Sequence, residues 1–146
     1  MKNTLSILLL FLLTGVVVSC TKTTTPATTV DNPPPIDTTV SVVKYTGSFQ
    51  NGPYGTASGT AKIILTNGKY QLRLEGFSVS SGPDLKVYLS KELQPLNFLR
   101  LGSLKALNGD QVYDIPGTPN IMDYPYALIH CEKFIHLFGS ALLMKF

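Results

Sequence analysis

The sequence is poor in the residues that most often carry chemistry, since it has no tryptophan, two histidines and two cysteines. The cysteines, Cys20 and Cys131, lie far apart, and neither a Cys-x-x-Cys nor a Cys-x-x-Cys-His motif occurs. This excludes a thioredoxin-like dithiol and covalently attached c-type heme. The serines lie in no Gly-x-Ser-x-Gly context and the aspartates are scattered, so neither a hydrolase nucleophile nor a calcium loop is indicated.

Charge is also scarce. Twelve Lys and Arg against nine Asp and Glu give a formal net charge of +3, and no run of basic residues occurs. The sequence therefore has no electrostatic footprint for nucleic acid, and we expect no nucleic-acid partner.

The N-terminus has the pattern of a lipoprotein signal peptide over residues 1–19. Lys2 precedes an apolar run that ends at Val18. This run is shorter than the roughly 20 apolar residues of a membrane span. It leads into Val17-Val18-Ser19-Cys20, which reads as a lipobox. We expect Cys20 to be acylated, with palmitate or a similar chain, and to anchor the protein to a membrane. The alternative is an uncleaved anchor with a chance cysteine, which would also export the rest of the chain.

Residues 20–41 form the predicted lipidated start and a Thr/Pro-rich tether. The segment contains little that could be buried, so it cannot offset the entropy of ordering. The residues directly after Cys20, Thr21-Lys22-Thr23, are not acidic, and therefore no sorting signal is evident. We expect a cell-envelope location on the periplasmic or surface side, with the outer membrane as the favoured membrane.

Residues 42–146 have the patterns of short strands and turns. Asn67-Gly68 separates two apolar arms, which is the strongest short-range signal for a β-hairpin. Asn108-Gly109 predicts a second hairpin, between arms at 98–107 and 111–115. Further strands are expected at 85–89, 126–131 and 134–146. About eight short strands at regular spacing predict an all-β fold, an antiparallel β-sandwich or barrel.

Several segments together resemble the DM-thirteen electron-transfer domain: Gly47-Ser48-Phe49, Gly59-Thr60-Ala61, Ser80 to Leu89, Tyr113-Asp114-Ile115-Pro116, Ala127 to Phe134 and Phe138-Gly139-Ser140-Ala141. The resemblance covers about residues 45–146. It implies an all-β domain with a defining cysteine, proposed to act as a naked thiol or to ligate a prosthetic group such as heme. That cysteine corresponds to Cys131. Family members usually carry Trp just before it, whereas this chain has His130.

Cys131 is the candidate redox or ligand residue. With Cys20 acylated it has no intramolecular partner, so it is a reactive thiol, a ligand, an intermolecular bridge or a buried packing residue. Adjacent strand residues point to opposite faces, so His130 is expected at an exposed or rim position away from Cys131. His136 is a weak candidate for a second metal ligand beside Cys131, provided that a turn or bulge at Glu132-Lys133 restores the geometry.

These observations favour a membrane-anchored envelope lipoprotein with an electron-transfer or thiol redox role at Cys131 and an unidentified redox or surface-protein partner. A noncatalytic ligand-binding or surface-interaction module, with Cys131 as a core residue, is the alternative. A structural envelope lipoprotein without a ligand is a third.

Overall fold

The computed structural model describes residues 40–146. The predicted signal peptide, Cys20 and all of the tether before Val40 lie outside the described residues. Nine strands run through the described part: β1 (Ser41–Asn51), β2 (Ala57–Thr66), β3 (Lys69–Val79), β4 (Leu85–Ser90), β5 (Phe98–Ser103), β6 (Gln111–Asp114), β7 (Tyr126–Cys131), β8 (His136–Leu142) and β9 (Met144–Lys145).

The strands form one antiparallel sheet in the order β5-β4-β7-β8-β1-β2-β3-β6, with β9 added to β1. The sheet is nearly closed into a barrel, because its two edge strands, β5 and β6, approach each other. The predicted all-β fold is confirmed. The described residues contain one short 3-10 turn, Ile121–Asp123, and no helix with the length and apolar character of a membrane span.

The predicted Asn67-Gly68 hairpin is confirmed. From Thr60 opposite Glu75, β2 and β3 pair in continuous register up to Thr66 opposite Lys69. Asn67 has φ 49° and Gly68 has φ 76°. Two successive positive φ angles are required by the type I′ turn, which Asn-Gly adopts more easily than other dipeptides.

The predicted hairpin at Asn108-Gly109 is wrong. β5 and β6 lie at opposite ends of the strand order, and β6 pairs with β3 instead. Asn108 forms a bridge with Ser78, and Gly109 N–H donates to the carbonyl of Phe77 at 2.8 Å. The loop between β5 and β6 therefore crosses from one edge of the sheet to the other.

Side chains of β6 close the remaining gap in the barrel. The Gln111 amide donates to the carbonyl of Ala106 at 2.8 Å and accepts from the Lys105 backbone N–H at 3.2 Å. The Tyr113 hydroxyl donates to the Gln111 side-chain oxygen at 2.6 Å. Burial raises the pKa of Tyr113, so its hydroxyl keeps its proton for this bond.

The core lies inside the barrel and contains the residues expected from the alternating patterns. These are Leu72, Leu74, Leu85, Val87, Leu89, Ile129 and Phe138, all buried. β4 is buried along both faces, since Lys86, Tyr88 and Ser90 are covered as well. A second apolar cluster accounts for part of the burial on the outer face of β4, because Tyr88, Leu128 and Leu137 pack together outside the main core.

Candidate functional site

Cys131 ends β7 and belongs to the main core. Its exposed fraction is 0%, and it packs in the same cluster as Val87, Ile129 and Phe138. It is unpaired within the described part of the chain. A thiol in this position reaches neither solvent nor a macromolecule unless the protein opens.

His136 begins β8 and lies directly opposite Cys131 across the hairpin. The chain reverses over residues 132–135, and a register shift lies between Ile129 and His130. Directly opposite residues of an antiparallel pair share one face of the sheet. The backbone register therefore meets the condition set for a Cys131/His136 pair, that a turn places the two residues on the same side of the sheet.

Tyr54 covers His136 from the neighbouring loop. The two rings stack with centroids 3.6 Å apart and planes within 3°. The Tyr54 backbone N–H donates to the carbonyl of Leu137 at 3.3 Å, which fixes the loop beside β8. Phe134 approaches the same imidazole with its ring centroid 5.8 Å away. His136 is thus opposite the buried Cys131 in the register and is approached by two aromatic residues that are more than half exposed.

These residues do not amount to a metal centre. Among residues 40–146, no group of three or more His, Cys, Asp or Glu side chains converges on one point. Cys131 and His136 supply two ligands at most, whereas structural and catalytic zinc sites use at least three protein ligands.

His130 is buried, so the expectation that it lies exposed or at a rim is wrong. Its exposed fraction is 4%, and neither ring nitrogen has a hydrogen-bond partner. Its Cα partners are Lys86 on β4 and Leu137 on β8. The ring of Tyr88 stacks against it at 5.7 Å. Because successive side chains of a strand alternate between the two faces of the sheet, His130 was expected on the face opposite Cys131. This alternation could not show that the outer face is buried as well.

Burial lowers the pKa of His130, and nearby His136 lowers it further, while Glu132 acts in the opposite direction. A neutral, unpaired imidazole in an apolar surrounding is unfavourable, because its nitrogens lose water without gaining a partner.

A polar network lies beside His130. The Tyr88 hydroxyl donates to one Glu132 oxygen at 2.5 Å, and Arg100 contacts both carboxylate oxygens at 2.8 and 2.9 Å. The Tyr88 hydrogen bond, together with Arg100, lowers the pKa of Glu132. Desolvation by burial, followed by the Glu132 carboxylate, raises the pKa of Tyr88. These opposite shifts hold the proton on the tyrosine and the charge on the carboxylate.

Heme iron would need an axial ligand beside a cavity large enough for the macrocycle. The cavities described in residues 40–146 include one of about 320 Å³ beside Lys86 and Lys105, one of about 230 Å³ beside Met122 and Tyr124, and one of about 810 Å³ at the Asn67-Gly68 end of the barrel. Cys131, His130 and His136 line none of these three. The candidate ligands therefore do not fit heme in this arrangement.

The fold and this end of the barrel define a class: a small, almost closed antiparallel barrel with one buried, unpaired thiol at a hairpin. The model of the family described as electron transfer DM13 matches residues 48–143. The chain belongs to that family. No curated protein and no solved structure gives a significant match to the chain.

The sequence patterns singled out Cys131 and His136 but missed the residues around them. Tyr54 lies in a Gly-Pro-containing loop whose sequence indicates only a turn. Glu132 and Lys133 are adjacent in the sequence and carry opposite charges. In the structure Glu132 pairs with Arg100, whereas Lys133 forms none of the salt bridges among residues 40–146. Only the pairing of β4, β5 and β7 brings Glu132 and Arg100 together.

Proposed function

We propose that this chain is a lipid-anchored electron-transfer protein of the cell envelope, with Cys131 as its redox-active or ligating residue. The observation that carries the proposal is the position of Cys131, opposite His136 at the end of a β-hairpin, in a chain of the electron transfer DM13 family. A cysteine in an oxidising compartment is usually disulfide-bonded, buried, or employed as a reactive thiol or a ligand.

The proposed anchor rests on the sequence Val17-Val18-Ser19-Cys20. Two or more acyl chains at Cys20 would hold the protein stably on a membrane without a transmembrane helix. Cys20→Ser should leave an unprocessed precursor or release soluble protein. Intact-mass analysis of the wild-type membrane form tests this, and retention of Met1 in that form would contradict the proposed processing.

Burial of Cys131 limits how the redox role would work. A thiol with no exposed surface is not a nucleophile for a large partner in the closed barrel. We therefore propose that Cys131 loses one electron, together with its thiol proton, to an oxidised electron-carrier protein and regains both on reduction. His136, opposite Cys131 in the register, and Tyr54, stacked on His136, are the candidate route for the electron. The proposal includes no heme, because Cys131, His130 and His136 line none of the three cavities described above.

The same burial favours a second candidate function. Cys131 packs in the main core with an exposed fraction of 0%, and free cysteine often serves as a small apolar residue. The chain would then be a noncatalytic binding or surface-interaction module.

A redox titration of the full-length lipoprotein, purified in detergent from its own envelope, separates the two candidates. Electron transfer predicts a reversible transition that Cys131→Ser abolishes while the circular dichroism spectrum stays β-type. Cys131→Ala is a second variant for the case in which Cys131→Ser fails to fold. Alanine places no hydroxyl in the core, so this variant should keep the fold. A packing role predicts no transition in the wild type and a loss of stability in both variants.

A further inference from the structure

The end of the barrel that holds Cys131 and His136 carries a small exposed apolar surface. We call it the hairpin tip and define it as Tyr54, Lys133, Phe134 and Ile135. The side chains of Tyr54, Phe134 and Ile135 are 57%, 54% and 77% exposed. Lys133 Nζ lies 5.6 Å from the centroid of the Phe134 ring.

Ile135 takes up a backbone conformation that isoleucine seldom adopts. Its φ is +57°, in the left-handed region. A β-branched residue pays an energetic penalty there that Gly or Asn would largely avoid. The side chain does not recover that penalty by packing inside the barrel, since it is mostly exposed. Strained residues of this kind are often found at functional sites.

The hairpin tip faces away from the point where the chain enters the barrel. β1 starts at Ser41, beside the β2–β3 turn, and its other end pairs with β8 at Gly139. An extended strand of this length spans about 33 Å. Any segment that links Ser41 to a lipidated Cys20 therefore joins the barrel at the end opposite the tip.

The charge of the hairpin tip indicates the chemistry of the surface that would bind to it. Glu132 is neutralised by Arg100, but Lys133 has no salt-bridge partner among residues 40–146. The surface is thus aromatic and aliphatic with one excess positive charge. An apolar patch rimmed by acidic residues is complementary to it, and complementary charge speeds encounter.

We infer that the hairpin tip docks a partner protein that presents an apolar patch with an acidic rim. This inference rests on the proposed function, under which the partner is an electron-carrier protein and His136 lies between it and Cys131. Tyr54 and Phe134 contact His136 from the exposed side, and Cys131 lies opposite His136. Docking at the tip would bring a partner close to the buried thiol without exposing it.

Photo-crosslinking in the native envelope tests the inference. The full-length lipoprotein carries p-benzoyl-phenylalanine at position 54, which preserves an aromatic ring at the tip. We expect an adduct with an exported protein whose crosslinked peptide, identified by mass spectrometry, contains apolar residues flanked by Asp or Glu.

Two substitutions and a matched control complete the test. Ile135→Asn removes the exposed side chain, and Asn tolerates the left-handed conformation, so the barrel should be at least as stable as before. It should reduce the adduct by about fivefold or more, as expected for an interface residue worth about 1 kcal/mol. Lys133→Glu should act in the same direction. Leu96→Asn should have no effect: Leu96 is equally exposed, at 78%, but follows β4 at the end of the sheet away from Cys131.

The outcomes separate this inference from the proposed function. No adduct, an adduct with phospholipid, an adduct with a second copy of the chain, or a yield insensitive to Ile135→Asn overturns the docking surface. If the purified protein still shows the transition that depends on Cys131, the proposed function survives that result. The expected adduct without any redox transition supports the docking surface and overturns electron transfer.

Discussion

Cys131 and His136 face each other at the first register position of the β7–β8 hairpin, and only one of them reaches the surface. Cys131 is completely buried, whereas His136 is partly exposed and stacks on Tyr54 at 3.6 Å. Tyr54 and His136 therefore form a cover at this end of the core.

Removing this cover should make the thiol accessible. We expect iodoacetamide to label Cys131 slowly in the native wild-type protein, because the thiol reacts only when the barrel opens. His136→Ala should raise the labelling rate by about tenfold. This corresponds to a free energy of opening that is lower by about 1.4 kcal/mol. Mass spectrometry of the labelled peptide measures the rate. Leu96→Ala serves as the control, and equal labelling of both variants would show that His136 does not cover the thiol.

His130→Phe should stabilise the protein. The substitution replaces two unpartnered buried nitrogens with carbon while keeping an aromatic ring against Tyr88. Relief from an unsatisfied buried polar group is worth about 1–2 kcal/mol. Urea unfolding at pH 7 measures the change. A loss of stability would mean that the imidazole makes a favourable contact that its geometry does not reveal.

The same histidine should make stability depend on pH. Burial lowers its pKa in the folded state, so the unfolded chain binds a proton first as the pH falls below the ordinary value of about 6.5. The free energy of unfolding should therefore decrease from about pH 6.5 downward and level off only below the folded-state pKa. Lys86, Tyr88, Glu132 and His136 are the charged or titratable groups around it.

Unfolding curves at pH 7.5, 6.5 and 5.5 test this dependence, with His130→Phe as the control. The decrease should be present in the wild type and absent in the variant. An equal decrease in both proteins would assign it to a group other than His130.

Glu132→Gln should weaken the polar network on the outer face. The Tyr88 hydroxyl would lose a charged acceptor, and Arg100 would lose its ion pair. Because the carboxylate is about one third exposed, we expect a loss of only about 1 kcal/mol. Glu132 also has a lowered pKa in the folded state, so its contribution is present above its ordinary pKa and is lost as the pH falls below it. Thermal unfolding at pH 7 and pH 4 should show a smaller difference between variant and wild type at pH 4.

Gly47→Ala should prevent the C-terminal segment from closing on β1. A Cβ at this position would lie 2.1 Å from the carbonyl oxygen of Leu142, which is backbone and cannot move aside without displacing the strand. We expect a loss of at least about 2 kcal/mol. Ser48→Ala, at the adjacent exposed position, is the control and should leave the unfolding midpoint within error. Equal stability of the two variants would contradict the close approach.

The sequence was most informative where structure is local. Asn67-Gly68 carries its own turn geometry, and the strand at 126–131 was placed to the residue. Asn108-Gly109 carries the same dipeptide, yet Asn108 is not among the residues with positive φ and the following strand pairs with β3. Turn preferences act within a few residues, whereas barrel closure is decided by strands that meet only in the folded chain.

The candidate site shows the same limit. A period of two in β7 placed His130 and Cys131 on opposite faces, and the structure agrees, since only Cys131 joins the main core. The pattern did not show that the outer face is buried too, because that depends on Tyr88, Leu128 and Leu137 packing together from three strands. The stacking of Tyr54 on His136 joins distant parts of the chain and has no local signal.

Redox titration of the full-length wild-type protein and its Cys131→Ser variant tests most sharply the proposal that Cys131 carries electron transfer. We expect a reversible transition in the wild type that Cys131→Ser removes and His130→Phe retains. A wild-type protein that shows no reversible loss and uptake of electrons, or a Cys131→Ser variant with an unchanged transition, would contradict this claim.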